Sequence, residues 1–223
     1  VNDVEGAGVC LYGANLTMQN STISDNSCVF GGHASSYGGG VYINNSSTFT
    51  MTSGVISENS AEYGGGVYVY GGKFIMNGGS ISKNTADNNG HGVYVVKRNT
   101  GGNYIFPTFN ISGDASITEN DVYLTAEQKI TITGELSSDT VATITPEKYE
   151  EVQVLATDNG ITLNDQLVGK FNVTKYNNNN NVETTITETG FLKNTLNDAA
   201  DLKEDPNLYE ICSTIIVNSP DGM

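Results

Sequence analysis

Short runs of alternating apolar and polar residues recur at a fixed spacing along the first half of the chain. A phrase of glycine, an apolar residue and tyrosine lies within residues 38–43, 64–69 and 90–95, and its copies are 26 residues apart. Self-similarity at a period of this size is typical of a solenoid, in which each unit buries its apolar face against the units above and below it. The repeat therefore constrains the architecture before any chemistry is considered.

Each unit contains three short segments that predict β-strands, and in the second unit these are residues 41–43, 49–51 and 55–57. Period-two alternation puts one set of side chains inside and the other outside. The expected inward set is Val41, Ile43, Phe49, Met51 and Ile56. Helices are disfavoured because no apolar stripe with a 3.6-residue period survives the glycines.

The three segments predict a coil that closes into a triangle and climbs, so that each strand pairs in parallel with its equivalent in the next coil. We therefore predict an all-β fold, a right-handed single-stranded parallel β-helix of about five to six triangular coils with a C-terminal β-hairpin cap. Like residues should stack in columns. The predicted columns are Val9, Val41, Val67, Val93 and Val122, and Ile23, Ile56, Ile81 and Ile117.

One asparagine recurs at the same corner of each unit, as Asn26, Asn59, Asn84 and Asn120. Asparagine tolerates left-handed backbone conformations, and its amide can bond both to turn backbone and to an amide stacked on it. The spacing predicts a structural asparagine ladder. Solvated turn residues are the alternative interpretation.

The repeats predict a first domain over residues 1–154. A less regular fifth coil is expected from residues 121–124, 130–132 and 142–144 as its first, second and third strands, and residues 152–154 would begin a sixth. Residues 155–223 should form an acidic C-terminal cap and tail. Its hairpin would pair residues 169–174 with 184–187 around the run from Asn177 to Asn181, and a helix is expected from Asn194 to Lys203.

Charge separates the two halves of the chain and excludes some partners. The net charge is −15, of which residues 1–113 carry −2 and residues 114–223 carry −13. Nucleic acid and anionic membrane surfaces need clustered Lys and Arg, so neither is an expected partner. No apolar run is long enough for a transmembrane segment, and no signal peptide is recognisable. We expect the chain to be part of a longer surface protein.

No residue set in the sequence predicts a catalytic centre, a metal site or a cofactor. The cysteines at positions 10, 28 and 212 form no disulfide framework or metal-binding spacing. His91 stands where Gly39 and Gly65 stand in the other units, so it is interpreted as a glycine replacement, and His33 is isolated in an insertion.

A column of outward tyrosines, Tyr42, Tyr68 and Tyr94, is the weak candidate for a binding surface. Flat aromatic rings suit a glycan or protein partner. Stacking between coils would explain the column equally well and is the favoured interpretation. Insertions at residues 29–36 and 97–107 are expected to be surface loops, where function concentrates if the chain has any.

The tetrapeptides at residues 39–42 and 65–68, with those at 56–59 and 81–84, resemble repeats of chlamydial-type polymorphic outer-membrane proteins and related bacterial surface β-helix proteins. The family pairs a Gly-Gly-apolar-apolar tetrapeptide with Phe-x-x-Asn. Here Ile56 and Ile81 replace the phenylalanine. The resemblance covers residues 6–154 and implies an extracellular or bacterial cell-surface location and an adhesin-like, non-enzymatic scaffold whose partner is a host or matrix protein or a glycan.

A polysaccharide-active enzyme is the alternative, as a glycoside hydrolase, a lyase or a tailspike-like protein, because β-helices also carry such activities. The string Gly90-His91-Gly92 resembles the Gly-His-Gly of polygalacturonases. That family places its histidine beside paired aspartates, and no Asp-Asp pair occurs in this sequence. We therefore expect no catalysis by His91.

Overall fold

The computed structural model describes residues 3–28, 35–149, 152–158, 160–175 and 182–196. Within these residues, strands of successive coils pair in parallel and build a β-helix, which confirms the predicted fold class. Its walls are four parallel sheets, here called faces I to IV in the order in which the chain passes through them. Two antiparallel strand pairs are added to this frame.

Faces I and II run the full height of the described solenoid. Face I contains Val9–Leu11, Val41–Asn44, Val67–Tyr70, Val93–Val96, Asp121–Leu124, Ala142–Pro146 and Phe171–Val173. Face II contains Asn15–Met18, Thr48–Met51, Lys73–Met76, Thr108–Gly113, Ile130–Leu136 and Leu155–Thr157. We number the coils 1 to 7 by their face I strands, so coil 2 begins at Val41.

Faces III and IV are shorter. Face III contains Ser21–Ser24, Gly54–Ser57, Ser80–Ser82 and Ser116–Thr118. Face IV contains Val4–Glu5, Ser27–Cys28, Ser36–Tyr37, Ser60–Tyr63 and Thr85–Asn89. The antiparallel pairs are Arg98–Asn99 with Tyr104–Ile105, and Val182–Ile186 with Leu192–Leu196.

The core lies inside the coils and is built from columns of identical or similar residues. Val41 is in register with Val9 and Val67, and Ile56 with Ile23 and Ile81, as predicted. The five predicted inward residues of coil 2 are all fully buried. Three phenylalanines, Phe49, Phe74 and Phe109, stack with ring centroids 5.5 and 4.9 Å apart. Close packing of these columns holds the coils at the spacing of paired strands.

Face IV is a fourth strand position in coils 1 to 3, whereas three strands per unit were predicted. Its strands Ser60–Tyr63 and Thr85–Asn89 are mostly polar, and each shows only a single alanine toward the core, Ala61 or Ala86. Because these segments contain almost no alternating apolar residues, their sequence pattern is typical of a turn. They are strands because their backbones are hydrogen-bonded to the backbones of neighbouring coils.

Coils 5 to 7 follow a shorter path than the regular coils. Ala142–Pro146 was expected to be the third strand of coil 5, but it pairs with Asp121–Leu124 and is therefore the face I strand of coil 6. Leu155–Thr157 pairs with Ile130–Leu136, and Phe171–Val173 pairs with Ala142–Pro146. The predicted domain boundary at residue 154 is therefore wrong, since β-helix pairing continues to Val173.

The C-terminal hairpin lies later in the chain than predicted. Its strands are Val182–Ile186 and Leu192–Leu196, while Phe171–Val173 belongs to face I rather than to the hairpin. Leu192 is buried, and its N–H donates to the Val152 carbonyl at 3.0 Å, so the hairpin covers the upper coils. The predicted helix beginning at Asn194 is wrong in its described part, which is strand. The run from Asn177 to Asn181 lies outside the described residues.

A single short helix, Asp165–Val168, connects faces II and I between coils 6 and 7 in the described chain. The Asn164 side chain accepts a hydrogen bond from the Leu167 N–H at 2.9 Å and caps this helix. Within the described ranges, no helix has the length and apolar character needed to cross a bilayer.

Candidate functional site

The four asparagines of the predicted ladder lie one above another at the corner between faces III and IV. The side-chain amide of Asn26 donates to Oδ1 of Asn59 at 2.8 Å, that of Asn59 to Asn84 at 2.9 Å, and that of Asn84 to Asn120 at 3.0 Å. Each Oδ1 also accepts the backbone N–H of the asparagine below it. Asn59 and Asn84 are buried, and their amides also donate to the Ile23 and Ile56 carbonyls. The arrangement is structural because these amides are largely committed to the protein itself.

A left-handed backbone conformation occurs at this corner, but not on the asparagines. The residue before each one has positive φ, between 56° and 59°: Asp25, Glu58, Lys83 and Glu119. The sequence interpretation put this conformation on the asparagine, and that is corrected here. The asparagine itself has no positive φ and contributes its side-chain amide to the corner.

The tyrosine column is a stack of rings on the outer surface of face I. Centroids of Tyr42 and Tyr68 are 5.6 Å apart, those of Tyr68 and Tyr94 are 5.1 Å apart, and Tyr123 follows at 5.1 Å, all with nearly parallel planes. Although these residues point away from the core, Tyr42 is only 1% exposed and Tyr68 only 7%. Their faces are covered by one another, so the two rings offer no flat platform to a partner.

A second pair of tyrosines on face IV completes this cover. Tyr37 stacks on Tyr63 at 5.7 Å and lies 4.8 Å from Tyr68, while Tyr63 meets Tyr94 edge to face at 5.6 Å. Burial raises the pKa of Tyr68 far above its usual value, and the neighbouring phenols add to the effect. The outer angle between faces IV and I is thus filled with aromatic rings in the lower coils.

In the upper coils the same angle is open, because face IV ends at Thr85–Asn89 while face I continues for three more coils beyond coil 4. The result is a groove of about 630 Å³, here called the face IV groove. Its lining residues are of polar types apart from one glycine, and they are Asn88, Asn89, Gly90, His91, Glu119, Asn120, Asp121, Thr143, Thr145, Tyr149, Thr174 and Lys175. The groove exists because the described chain passes from Asn120, at the end of coil 4, directly into the face I strand of coil 5, so that coil 4 has no described strand in face IV.

His91 and Asp121 meet in this groove. The His91 backbone N–H donates to Oδ1 of Asp121 at 2.8 Å, and His91 Nδ1 lies 3.2 Å from the same oxygen. Half of the His91 side chain is exposed, whereas that of Asp121 is 17% exposed. The contact was not predicted, since the two residues are 30 positions apart and only the missing strand brings them together.

The insertion between the face I and face II strands of coil 4 forms a small antiparallel hairpin, Arg98–Asn99 with Tyr104–Ile105. Lys97 Nζ lies 4.5 Å from the centre of the Tyr104 ring and 2.6 Å from Oε2 of Glu127. Tyr104 and Phe106 are half exposed. The sequence predicted a surface loop here, but not its aromatic pair, which is a secondary candidate for contact with a partner.

The cysteines and the metal ligands of the described chain suggest no further chemistry. Cys28 is buried in face IV in register with Ala61, and burial raises the pKa of its thiol, which keeps it protonated. Cys10 is exposed on face I in register with Tyr42. Position 212 and His33 lie outside the described residues. Among the residues that are described, no group of three or more His, Cys, Asp or Glu side chains could hold a metal ion.

Residues 1–111 match a family model described as a right-handed beta helix region. The match supports the general family of right-handed parallel β-helix proteins, in agreement with the stacked parallel sheets. It covers coils 1 to 3 and part of coil 4, which are the regular ones. No curated protein and no solved structure showed significant similarity to the chain.

Proposed function

We propose that this β-helix is a non-enzymatic, adhesin-like binding scaffold that acts outside the cell, either secreted or on a bacterial cell surface, and that its ligand lies in the face IV groove. The observation that carries the proposal is the groove of about 630 Å³ beside the tyrosine stack. Ligand sites in proteins commonly have volumes of roughly 300–1,000 Å³.

The partner that this site suits is a host or matrix protein or a glycan. Amides such as Asn88, hydroxyls such as Thr145, and the carboxylate of Asp121 line the groove and can make directional hydrogen bonds with a polar partner. The net charge of −15 disfavours polyanions such as nucleic acid. Stacked coils and ladders make the scaffold rigid, so little conformational entropy is lost when a partner binds.

A polysaccharide-active enzyme is the second candidate, and the contact between His91 and Asp121 is the observation that favours it. Acid–base chemistry on a glycosidic bond needs two ionisable groups near the bond, and Glu119 supplies a further carboxylate in the same groove. However, Asp121 also accepts the His91 backbone N–H and so completes a coil corner. We take this structural role as the better explanation of the contact.

Filling the groove tests the proposal. Thr145 follows Tyr123 in register, so Thr145→Tyr would extend the tyrosine column by one ring and occupy the groove. Thr131→Tyr is the matched control, because Thr131 lies on face II, away from the groove. Wild type and Thr131→Tyr should bind host-cell or matrix preparations, and Thr145→Tyr should lose most of that binding. Equal binding by all three proteins, or no binding by any, contradicts the proposal.

Two further variants test the other candidate sites, which are the exposed aromatic pair of the hairpin and His91. A double variant, Tyr104→Ser with Phe106→Ser, removes the exposed aromatic pair of the hairpin and should leave binding intact if the groove is the site. The enzyme alternative is tested by incubating the protein with acidic and neutral glycans and measuring reducing ends or unsaturated products. Product formation that disappears in His91→Ala would replace the scaffold proposal with the enzyme.

A further inference from the structure

The face IV groove has the position of an absent strand. In coils 1 to 3 each face IV strand lies against the next, and the pairing of Ser60–Tyr63 with Thr85–Asn89 is parallel. Above Thr85–Asn89 the described chain places no strand, although faces I and II continue upward. Thr85–Asn89 is therefore an edge strand, and such an edge presents unpaired backbone groups to a partner.

The two ends of this edge are closed by side chains. At one end the side-chain amide of Asn120 donates to the Asn84 carbonyl at 2.8 Å. In the coil below, the equivalent carbonyl, that of Asn59, instead accepts the backbone N–H of Thr85 at 2.9 Å. At the other end Asp121 accepts from the His91 N–H. Side chains thus take the place of strand backbone at both ends of the groove.

The middle of the edge pairs with no strand of the described chain. Thr85 donates its N–H to the coil below, so the alternation of a parallel ladder turns the N–H and C=O of Ala86 toward the groove. The Gly64 N–H donates upward to the Asn89 carbonyl at 3.1 Å, whereas the equivalent Gly90 N–H has no face IV strand of coil 4 above it in the described structure. Ala86 and Gly90 are four residues apart, which corresponds to roughly 13 Å of extended chain.

The walls of the groove are acidic. Glu119 and Asp121 line it and Asp87 lies exposed on the edge strand, against one lysine, Lys175. His91 also lines the groove and faces Asp121. A partner strand with positive side chains would complement this surface and would approach faster than a neutral one.

We propose that an extended peptide segment with basic side chains binds in the face IV groove as an added parallel strand on Thr85–Asn89, and this inference rests on the proposed function of the groove. The peptide's C=O and N–H groups pair with Ala86 and the Gly90 N–H, and its basic side chains face Asp87 and Glu119. About five residues fill the open span.

A labelled synthetic pentapeptide of alternating valine and lysine is the probe, with binding followed by fluorescence anisotropy. Its matched control has the same side chains but methyl groups on alternate backbone nitrogens, which removes the donors that pair with the edge. We expect methylation to weaken binding about tenfold. Glu119→Gln should weaken it about threefold and reduce its salt dependence. Thr145→Tyr should abolish it, and Thr131→Tyr should not.

The outcomes separate this inference from the proposed function. Equal affinity of the methylated and unmethylated peptides, or binding that survives Thr145→Tyr, overturns strand addition. If neutral glycans bind in a manner lost in Thr145→Tyr while the peptide does not bind, the ligand is a glycan, and the scaffold proposal stands without strand addition. If matrix preparations, glycans and the peptide all fail to bind the wild type, both proposals are wrong.

Discussion

The Asp121 carboxylate accepts the His91 backbone N–H at 2.8 Å, in the place where lower coils use a backbone carbonyl. The equivalent N–H groups of Gly39 and Gly65 donate to the Gly64 and Gly90 carbonyls, each at 3.1 Å. A side chain thus completes the last corner between faces IV and I. Because no corner between faces IV and I lies above it in the described residues, the His91 side chain has space beside the groove.

This relationship predicts that Gly65 and His91, which occupy equivalent positions in their coils, differ in how well they tolerate substitution by alanine. A Cβ on Gly65 would overlap the Thr85 carbonyl oxygen of the neighbouring strand, so Gly65→Ala should cost about 3 kcal/mol or more of unfolding free energy. His91→Ala removes a half-exposed ring and its contact with Asp121, and it should change stability by less than about 1 kcal/mol. Urea denaturation of both variants measures the difference. Similar losses in the two variants would contradict this account of the corner.

The asparagine ladder predicts a large loss from one buried amide. Asn84→Ala removes donors to the Ile56 carbonyl and to Asn120, and it leaves the Asn59 N–H buried without its acceptor. We expect a loss of about 3 kcal/mol of unfolding free energy. Asn88→Ala is the control, because Asn88 is exposed and donates only to Glu62, and it should cost less than about 1 kcal/mol. Equal effects in urea would show that the ladder contributes little.

The backbone of the same corner gives a prediction with the opposite sign. Lys83 is an exposed residue with φ of 57°, a conformation that costs a residue with a Cβ about 1–2 kcal/mol and glycine almost nothing. After the greater chain entropy of glycine is subtracted, Lys83→Gly should stabilise the protein by about 0.5 kcal/mol. Ser82→Gly, one residue earlier in a strand, should destabilise it by about 1 kcal/mol. Destabilisation by both changes would contradict the assigned strain.

Sequence reasoning succeeded where residues repeat and failed where they do not. Val41, Val67 and Ile56 lie in their predicted columns because an apolar residue at a fixed period has one buried position in each coil. The strand Thr85–Asn89 was missed because only Ala86 in it packs toward the core. The strand is held by hydrogen bonds to backbone groups of the neighbouring coil, and such bonds leave no recognisable pattern of residue types in the sequence.

The upper coils were misassigned for a related reason. Asp121 and Ala142 begin successive face I strands only 21 residues apart, because coil 5 has no described strand in faces III and IV. A search at the regular period therefore takes Ala142 for a later strand of the same coil. The groove could not be predicted from sequence, because it occupies the position of a missing face IV strand. The face IV strands of the lower coils had themselves not been predicted.

The tyrosine stack predicts how stability changes at alkaline pH. Burial raises the pKa of Tyr68 in the folded protein, while in the unfolded chain the phenol ionises near its ordinary pKa of about 10. Above pH 10 the unfolded state therefore binds fewer protons than the folded state, and unfolding becomes more favourable. The stabilising effect is complete below about pH 10 and falls by about 1.4 kcal/mol per pH unit above it, until the folded pKa is reached.

The variant Tyr68→Phe tests this dependence, because it keeps the stacked ring but has no phenol proton to lose. Between about pH 10 and 12, its unfolding free energy should fall less steeply than that of the wild type, by about 1.4 kcal/mol per pH unit. Tyr12→Phe, at a ring that is 57% exposed, is the matched control and should follow the wild type. Urea denaturation at several pH values measures the slopes, and parallel curves for Tyr68→Phe and wild type would mean that Tyr68 ionises without unfolding the coil.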